Sequence, residues 1–289
     1  MKIDISKYRF DSDKELDLKD FNQCEKTLYS DEELKEKLIP EMTERLADLH
    51  TKFHAEEKKG IVLILQAMDA AGKDEIIAFI FKHLLPQGLK ITSSHKPSEV
   101  EVKHDFLWRS HQALPERGQI SVLNRSYYEE ILALLAKDGE GTIPDHGERK
   151  DKETWEIRCN HINQYEKYLV ESGFPIIKIF PYISKEAQRD RLLERMKDPE
   201  KNWEFSFSDI EDRRRWDVFQ DSYEKIIKKT STPWAPWYIL PADNAWYSRL
   251  LAGEIALDLL KSINPKFPKI SGEDKKRLEK AIQELENEK

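Results

Sequence analysis

Cysteine is scarce in this chain, and an excess of positive charge and long apolar runs are missing from it; each of these lacks excludes something. The two cysteines, Cys24 and Cys159, lie far apart and show no metal-ligand spacing, so a reducing cytoplasm is the simplest setting. No apolar stretch approaches the ~20 residues that cross a bilayer. The charged start, Met1-Lys2-Ile3-Asp4-Ile5-Ser6-Lys7, has no secretory character. A soluble cytoplasmic protein is therefore expected. With 48 Lys+Arg against 55 Asp+Glu the formal net charge is −7, which argues against nucleic acid or an anionic membrane as partner. A local basic channel for a polyanion remains compatible with it. The hydrophobic fraction is 39% and the charged fraction 36%, as in a helix-rich protein with long solvated faces. At 289 residues the chain can bury the core of one large α/β domain with appendages.

What the chain does have is an apolar run, Ile61-Val62-Leu63-Ile64-Leu65, followed by Gln66-Ala67-Met68-Asp69-Ala70-Ala71-Gly72-Lys73-Asp74 and then a helical pattern. A buried strand, a small-residue loop ending Gly-Lys and a helix make a phosphate-binding loop, whose backbone N–H groups and lysine hold phosphate oxygens at the helix start. Gly72 allows close backbone approach and Lys73 supplies a point charge. The loop departs from the usual pattern twice: Ala67 replaces the first glycine, and Asp74 the Ser or Thr that binds magnesium. Asp69 adds a carboxylate inside the loop. Two carboxylates beside a phosphate site call for cations between them, so Asp69 and Asp74 are candidate metal ligands in an Mg²⁺-dependent phosphoryl-transfer site. The bland alternative is a strand–turn–helix with acidic residues favoured by the helix dipole.

A second strand, Gln119 to Leu123, leads into Asn124-Arg125-Ser126-Tyr127-Tyr128-Glu129. Asn124 stands where an Asp beside the metal is usual, which leaves that contact indirect or shared with Glu129. Arg125, at a strand end facing the loop, is placed to stabilise transition-state charge. Ser126 with Glu129 also reads as a helix start. In His104-Asp105-Phe106-Leu107-Trp108-Arg109 helical spacing pairs Asp105 with Arg109 and His104 with Trp108. Arg109 either grips a nucleotide phosphate or forms a surface salt bridge. In Ser184 to Arg195 the same spacing puts Gln188, Arg191 and Arg195 on one side. That pattern fits a solvated ion-paired helix, or, with Lys201, Trp203 and Arg213-Arg214-Arg215 after it, a lid closing over phosphates.

The order of elements predicts an α/β fold. Strands are expected at 60–66, 89–94, 119–124, 175–180 and 236–241, with helices over 73–85, 98–113, 126–137, 152–172, 184–197, 209–229 and 245–261. Such alternation implies three layers, a five-stranded parallel sheet covered by helices on both faces. Residues 1–29 read as an irregular arm. Ser30 with Glu33 starts a helix that bends at Pro40 and carries the stripe Leu34, Leu38, Met42, Leu46, Leu49 and Phe53. Residues 137–150 read as a loop, 198–207 as a moving lid segment, and 271–288 as a charged terminal helix. The expected organisation is an arm and helix over 1–57, a core over 58–262 with its lid at about 184–215, and a tail over 263–289.

Taken together, these motifs resemble the polyphosphate kinase 2 family. The resemblance rests on the loop 66–74, Pro86-Gln87-Gly88, Pro97-Ser98, the 104–109 stretch, Asn124-Arg125-Ser126 with Tyr128-Glu129, Pro199 with Lys201 and Trp203, Thr230-Ser231-Thr232 with Pro236-Trp237, and Pro241-Ala242-Asp243. They run in family order from about residue 58 to 250. The resemblance implies a phosphate-loop kinase fold with a helical lid and an N-terminal helical extension. It implies reversible Mg²⁺-assisted transfer, with Mn²⁺ as a possible substitute, between inorganic polyphosphate and an adenine or guanine nucleotide. It also implies assembly as a homo-dimer or homo-tetramer. By position, Asp69, Lys73 and Arg125 would be catalytic, and Ala70, Ala71, Gly72, Asp74, Arg109, Arg191 and Arg195 would bind phosphate or nucleotide. The Asn124…Glu129 form is similar to the branch acting on both AMP and ADP. One departure is Glu204, after Trp203, where the family pattern carries a lysine. The alternatives are an ATP-dependent nucleoside monophosphate kinase, expected to keep Gly at 67 and Ser or Thr at 74, and a non-catalytic nucleotide sensor.

Overall fold

The structure is a computed structural model that describes residues 3–10, 16–94, 96–137, 139, 142–143 and 154–288. Most of the loop expected at 137–150, and the first two residues of the helix expected at 152–172, lie outside the described residues.

In chain order the chain forms β1 (Arg9–Phe10), α1 (Asp31–Glu33), α2 (Ile39–Glu56), β2 (Ile61–Leu65), α3 (Lys73–Ile76), β3 (Leu89–Ser93), α4 (Trp108–Gln112), β4 (Ile120–Asn124) and α5 (Tyr128–Ala136). Then follow α6 (Thr154–Glu171), β5 (Ile176–Tyr182), α7 (Lys185–Lys197), α8 (Phe207–Arg214), α9 (Trp216–Thr230), β6 (Trp237–Pro241), α10 (Ala245–Ile263) and α11 (Gly272–Glu286). The strands lie in the order β1-β6-β5-β2-β4-β3. The five expected strands are all present and parallel. A sixth, β1, pairs antiparallel with β6, with Phe10 opposite Trp237, so the sheet is mixed and the N-terminal arm is partly built into it. Two residues are too few to show a strand periodicity, which is why β1 escapes a sequence reading.

Alternation along β2 divides the core. Val62 and Ile64 point to one cluster with Ile131, Ile162 and Phe219, while Ile61, Leu63 and Leu65 point to another with Met42, Leu46, Phe53 and Leu251. Helices α5, α6 and α9 cover the first face and α2 and α10 the second. The stripe on α2 is thus a sheet-packing face. Gly253 lets α10 lie close to it, since a Cβ there would sit 2.1 Å from Met42 Cε.

Four helices differ from expectation: the one expected at 73–85 is α-helical only over Lys73–Ile76, winds as a π turn over Ile77–Phe81 and ends there. Ser30 caps as predicted, its Oγ accepting from Glu33 N at 3.1 Å. A π turn at Leu34–Leu38 then precedes α2, with Pro40 in the first turn of that helix. The missing Pro40 N–H is thereby tolerated at a change of winding rather than inside a regular helix. The expected helix 98–113 shrinks to a 3₁₀ turn at Glu101–Lys103 and the short α4, because His104 adopts an extended backbone. The expected helix 209–229 breaks at Arg215 into α8 and α9. Among the described residues no helix is long and apolar enough to cross a membrane.

Candidate active site

Strand β2 lies between β4 and β5, where connections leave in opposite directions and a crevice opens at the strand ends. The segment Gln66 to Gly72 fills that position. Its path needs two left-handed residues, Ala70 at φ 60° and Gly72 at φ 98°; glycine reaches this conformation without strain and alanine does not. Ala67, at the missing glycine, is buried in the core beside Met68 and Ala71. Lys73 is 6% exposed and donates to the carbonyls of Ala67 at 3.2 Å and Met68 at 3.1 Å.

Four other elements converge on the loop. From the end of β4, Arg125 forms an ion pair with Asp69. It does so from a left-handed backbone at φ 64°, with its N–H donating to Leu65 O at 3.0 Å. Asn124 Nδ2 donates to Asp74 Oδ1 at 2.6 Å, and Gln66 Nε2 to Glu129 Oε1 at 2.6 Å. From α7, Gln188 Nε2 donates to Asp69 O at 3.0 Å and Arg191 Nη1 to Ala70 O at 3.0 Å. A second Arg191 nitrogen binds Ala242 O at 2.5 Å, tying the loop to the end of β6. Arg213 of α8 binds Lys185 O and Gln188 Oε1, which fastens α8 to α7.

The result is a cleft of about 350 Å³ lined by Asp69, Lys73, Asp74, Asn124, Arg125 and Arg195. Adjoining it, a larger one of about 560 Å³ carries Arg191, Lys201 and Arg249 beside Phe79 and Trp246. On the other side, Asp69 and Arg125 also line a small cavity with Lys137, Asp212 and Tyr223. Lys137 pairs with Asp212 at 2.9 Å. These last three residues, like Arg249, were not foreseen, for they sit on ordinary amphipathic helix patterns that carry no local signal.

Arg109 does not form the surface salt bridge that its spacing from Asp105 suggested. Its ion pair is with the buried Glu130 at 2.9 Å, not with Asp105. Arg158 joins the same carboxylate at 3.1 Å. Asp105 lies before α4 and accepts from Leu107 N, so the helical spacing that would join it to Arg109 does not exist. His104 and Trp108 do stack, with ring centroids 4.0 Å apart. Arg109 also lines a small cleft with Ser94, Arg125 and Ser126. Arg195 faces Glu204, Nε to Oε2 3.3 Å.

Charge in the cleft is strongly coupled. Burial alone would raise the Asp69 carboxyl, but Lys73, Arg125 and Lys137 outweigh it and hold its pKa below the usual value. Burial lowers the Lys73 ammonium, helped by Arg125 and opposed by Asp69, Glu129 and Asp74. Burial raises Asp209, and the nearby charge of Asp69 adds to it.

The donor set suits a hard divalent cation. Asp69 and Asp74 offer carboxylate oxygens, and the buried Oδ1 of Asn124 has no hydrogen-bond partner among the described residues. Among those residues no group of three or more His, Cys, Asp or Glu forms a ready-made cage. That is what Mg²⁺ tolerates, since it is usually held by one or two carboxylates plus substrate phosphates.

Comparison with known proteins points to one family. The family described as Polyphosphate kinase 2 (PPK2) matches residues 28–268. The "ADP-polyphosphate phosphotransferase" of Rhodopseudomonas palustris is 37% identical, over 99% of both chains. The "AMP/ADP-polyphosphate phosphotransferase" of Meiothermus ruber is 36% identical over 91% of this chain and 96% of its own length. A crystal structure of Polyphosphate Kinase 2 from Arthrobacter aurescens TC1 superposes with a TM-score of 0.84 at 32% identity, covering 93% of each chain. The chain belongs to the polyphosphate kinase 2 family.

Proposed function

We propose that the protein transfers a terminal phosphate reversibly between inorganic polyphosphate and AMP or ADP, making ADP or ATP. The observation that carries this is the convergence of Lys73, Arg125 and two loop carboxylates, Asp69 and Asp74, on one cleft of a member of this family. A divalent cation, Mg²⁺ with Mn²⁺ as a substitute, would be held by Asp69 and Asp74, with Glu129 as a further possible ligand, and would neutralise phosphate charge. Lys73 exchanges the carbonyls of Ala67 and Met68 for oxygens of the transferring phosphate, with the loop backbone at Ala70, Ala71 and Gly72 beside it. Arg125 stabilises charge on those oxygens from the opposite wall. The acceptor's terminal phosphate oxygen forms the new P–O bond as the bond to the donor's next phosphate breaks. No enzyme-bound intermediate is needed, so the site contributes position and charge. Arg191 and Arg195 hold the donor chain and Arg109 the nucleotide phosphate.

Ala67 and Asp74 speak against an ATP-dependent nucleoside monophosphate kinase, as do the names of the relatives. A cytoplasmic location and assembly as a homo-dimer or homo-tetramer belong to the same proposal and rest on the family resemblance. The test is incubation of purified protein with ADP, Mg²⁺ and polyphosphate in the absence of ATP. Formation of ATP is expected. No ATP, together with brisk AMP phosphorylation from ATP, would replace this reading with the monophosphate kinase.

A further inference from the structure

The two larger clefts share an ion pair along with Ala70, Gly72 and Glu75. Arg195, on α7, and Glu204, on the 3₁₀ turn Asn202–Glu204, line both the cleft over the phosphate loop and the cleft that holds Arg191, Lys201 and Arg249. Their atoms lie 3.3 Å apart, with the Arg195 side chain 17% exposed and Glu204 38%. A carboxylate here occupies the face of the guanidinium that a phosphate oxygen would take. Lys201, three residues earlier, is also held by acids, Glu194 at 2.5 Å and Asp198 at 3.9 Å. A chain anion reaching from the reacting cleft into the second one would run along the wall that this pair forms with Ala70, Gly72 and Glu75.

We propose that Glu204 is an internal competitor of the polyanionic donor: its carboxylate holds Arg195 until a polyphosphate chain displaces it, and so sets how much polyphosphate the enzyme requires. This rests on the reading of polyphosphate as donor. Glu204 touches none of the loop residues through a described bond, so its effect falls on donor affinity and not on the phosphoryl-transfer step. A partly exposed pair is individually weak, and removing the acid also removes repulsion of the donor. Glu204→Gln should therefore tighten polyphosphate binding about three- to tenfold.

The experiment measures polyphosphate binding with Mg²⁺ and no nucleotide, and KM and kcat with ADP, for the wild type, Glu204→Gln, Glu204→Asp, Arg195→Gln and the Arg195→Gln/Glu204→Gln double variant. Expected are a lower Kd and KM for polyphosphate in Glu204→Gln with kcat within about twofold, near wild-type behaviour in Glu204→Asp, and no gain from Glu204→Gln once Arg195 is gone. Unchanged or weaker binding in Glu204→Gln would overturn the inference, as would an equal gain in Glu204→Asp or in the Arg195→Gln background. A wild type that makes no ATP from polyphosphate would instead overturn the proposed function itself.

Discussion

Arg125 reaches Asp69 only because its own backbone is left-handed. Strand β4 ends at Asn124, Arg125 turns at φ 64°, and its guanidinium is thrown back across the loop onto the Asp69 carboxylate. A residue with a Cβ is strained by roughly 1–2 kcal/mol in that conformation, and such strain collects where function demands a particular aim.

Two truncations at this position separate strain from charge. Arg125→Ala and Arg125→Gly both remove the guanidinium and should both lower turnover by about 10²-fold or more. They differ in the Cβ that φ 64° disfavours, so the glycine variant should be the more stable by about 1 kcal/mol in urea denaturation. Equal stability would mean that the backbone relaxes once the ion pair is lost.

Lys73→Ala should reduce turnover by about 10²-fold or more while leaving circular dichroism and Tm close to the wild type. The fold loses little because burial already disfavours the Lys73 charge. Surviving activity would mean that the loop has been assigned wrongly.

Asp69 predicts a pH dependence with a definite sign. Its folded pKa lies below the ordinary value, since Lys73, Arg125 and Lys137 outweigh burial. The folded state therefore favours the ionised form. That contribution is fully present above the unfolded pKa of about 3.9 and is lost as pH falls through the lower folded value. The stability difference between wild type and Asp69→Asn should be constant from about pH 7 to 5 and shrink below about pH 4. A difference that stays flat into acid would show that Asp69 is not held ionised by its neighbours.

The sheet and the loop were legible because their signals are local. β2 is a five-residue apolar strand buried throughout, β4 is buried except at Asn124, and Gly72-Lys73 closes the short loop that follows β2. What sequence could not show depends on distant partners. Phe10 becomes a strand residue only by pairing with Trp237. Arg109 binds Glu130 from another element, whereas local spacing suggested Asp105. Lys137 and Asp212 become neighbours of Asp69 only when α8 and α5 pack together. Arg191 lies on α7, a helix that the sequence pattern indicates, but its hydrogen bonds to Ala70 O and Ala242 O are invisible to periodicity.

The buried pair Lys178–Glu166, 2.7 Å apart and both fully buried, supports the turn that carries Arg125. Tyr127 and Tyr128 donate to Glu166 at 2.8 and 2.7 Å, and Lys178 donates to Tyr128 Oη and Thr230 O. Lys178→Met strands the Glu166 charge and should cost about 3–5 kcal/mol. Adding Glu166→Gln should recover most of it. A loss below about 1 kcal/mol in the single variant would show that the tyrosines alone satisfy the carboxylate.

A crystal structure with ADP, polyphosphate and Mg²⁺ bound tests the central claim most directly. The account places the terminal phosphate of the polymer between Lys73 and Arg125, in line with the ADP terminal oxygen, with metal density on Asp69 and Asp74. Polymer and metal bound elsewhere, with the Gly72-Lys73 turn left empty, would contradict it.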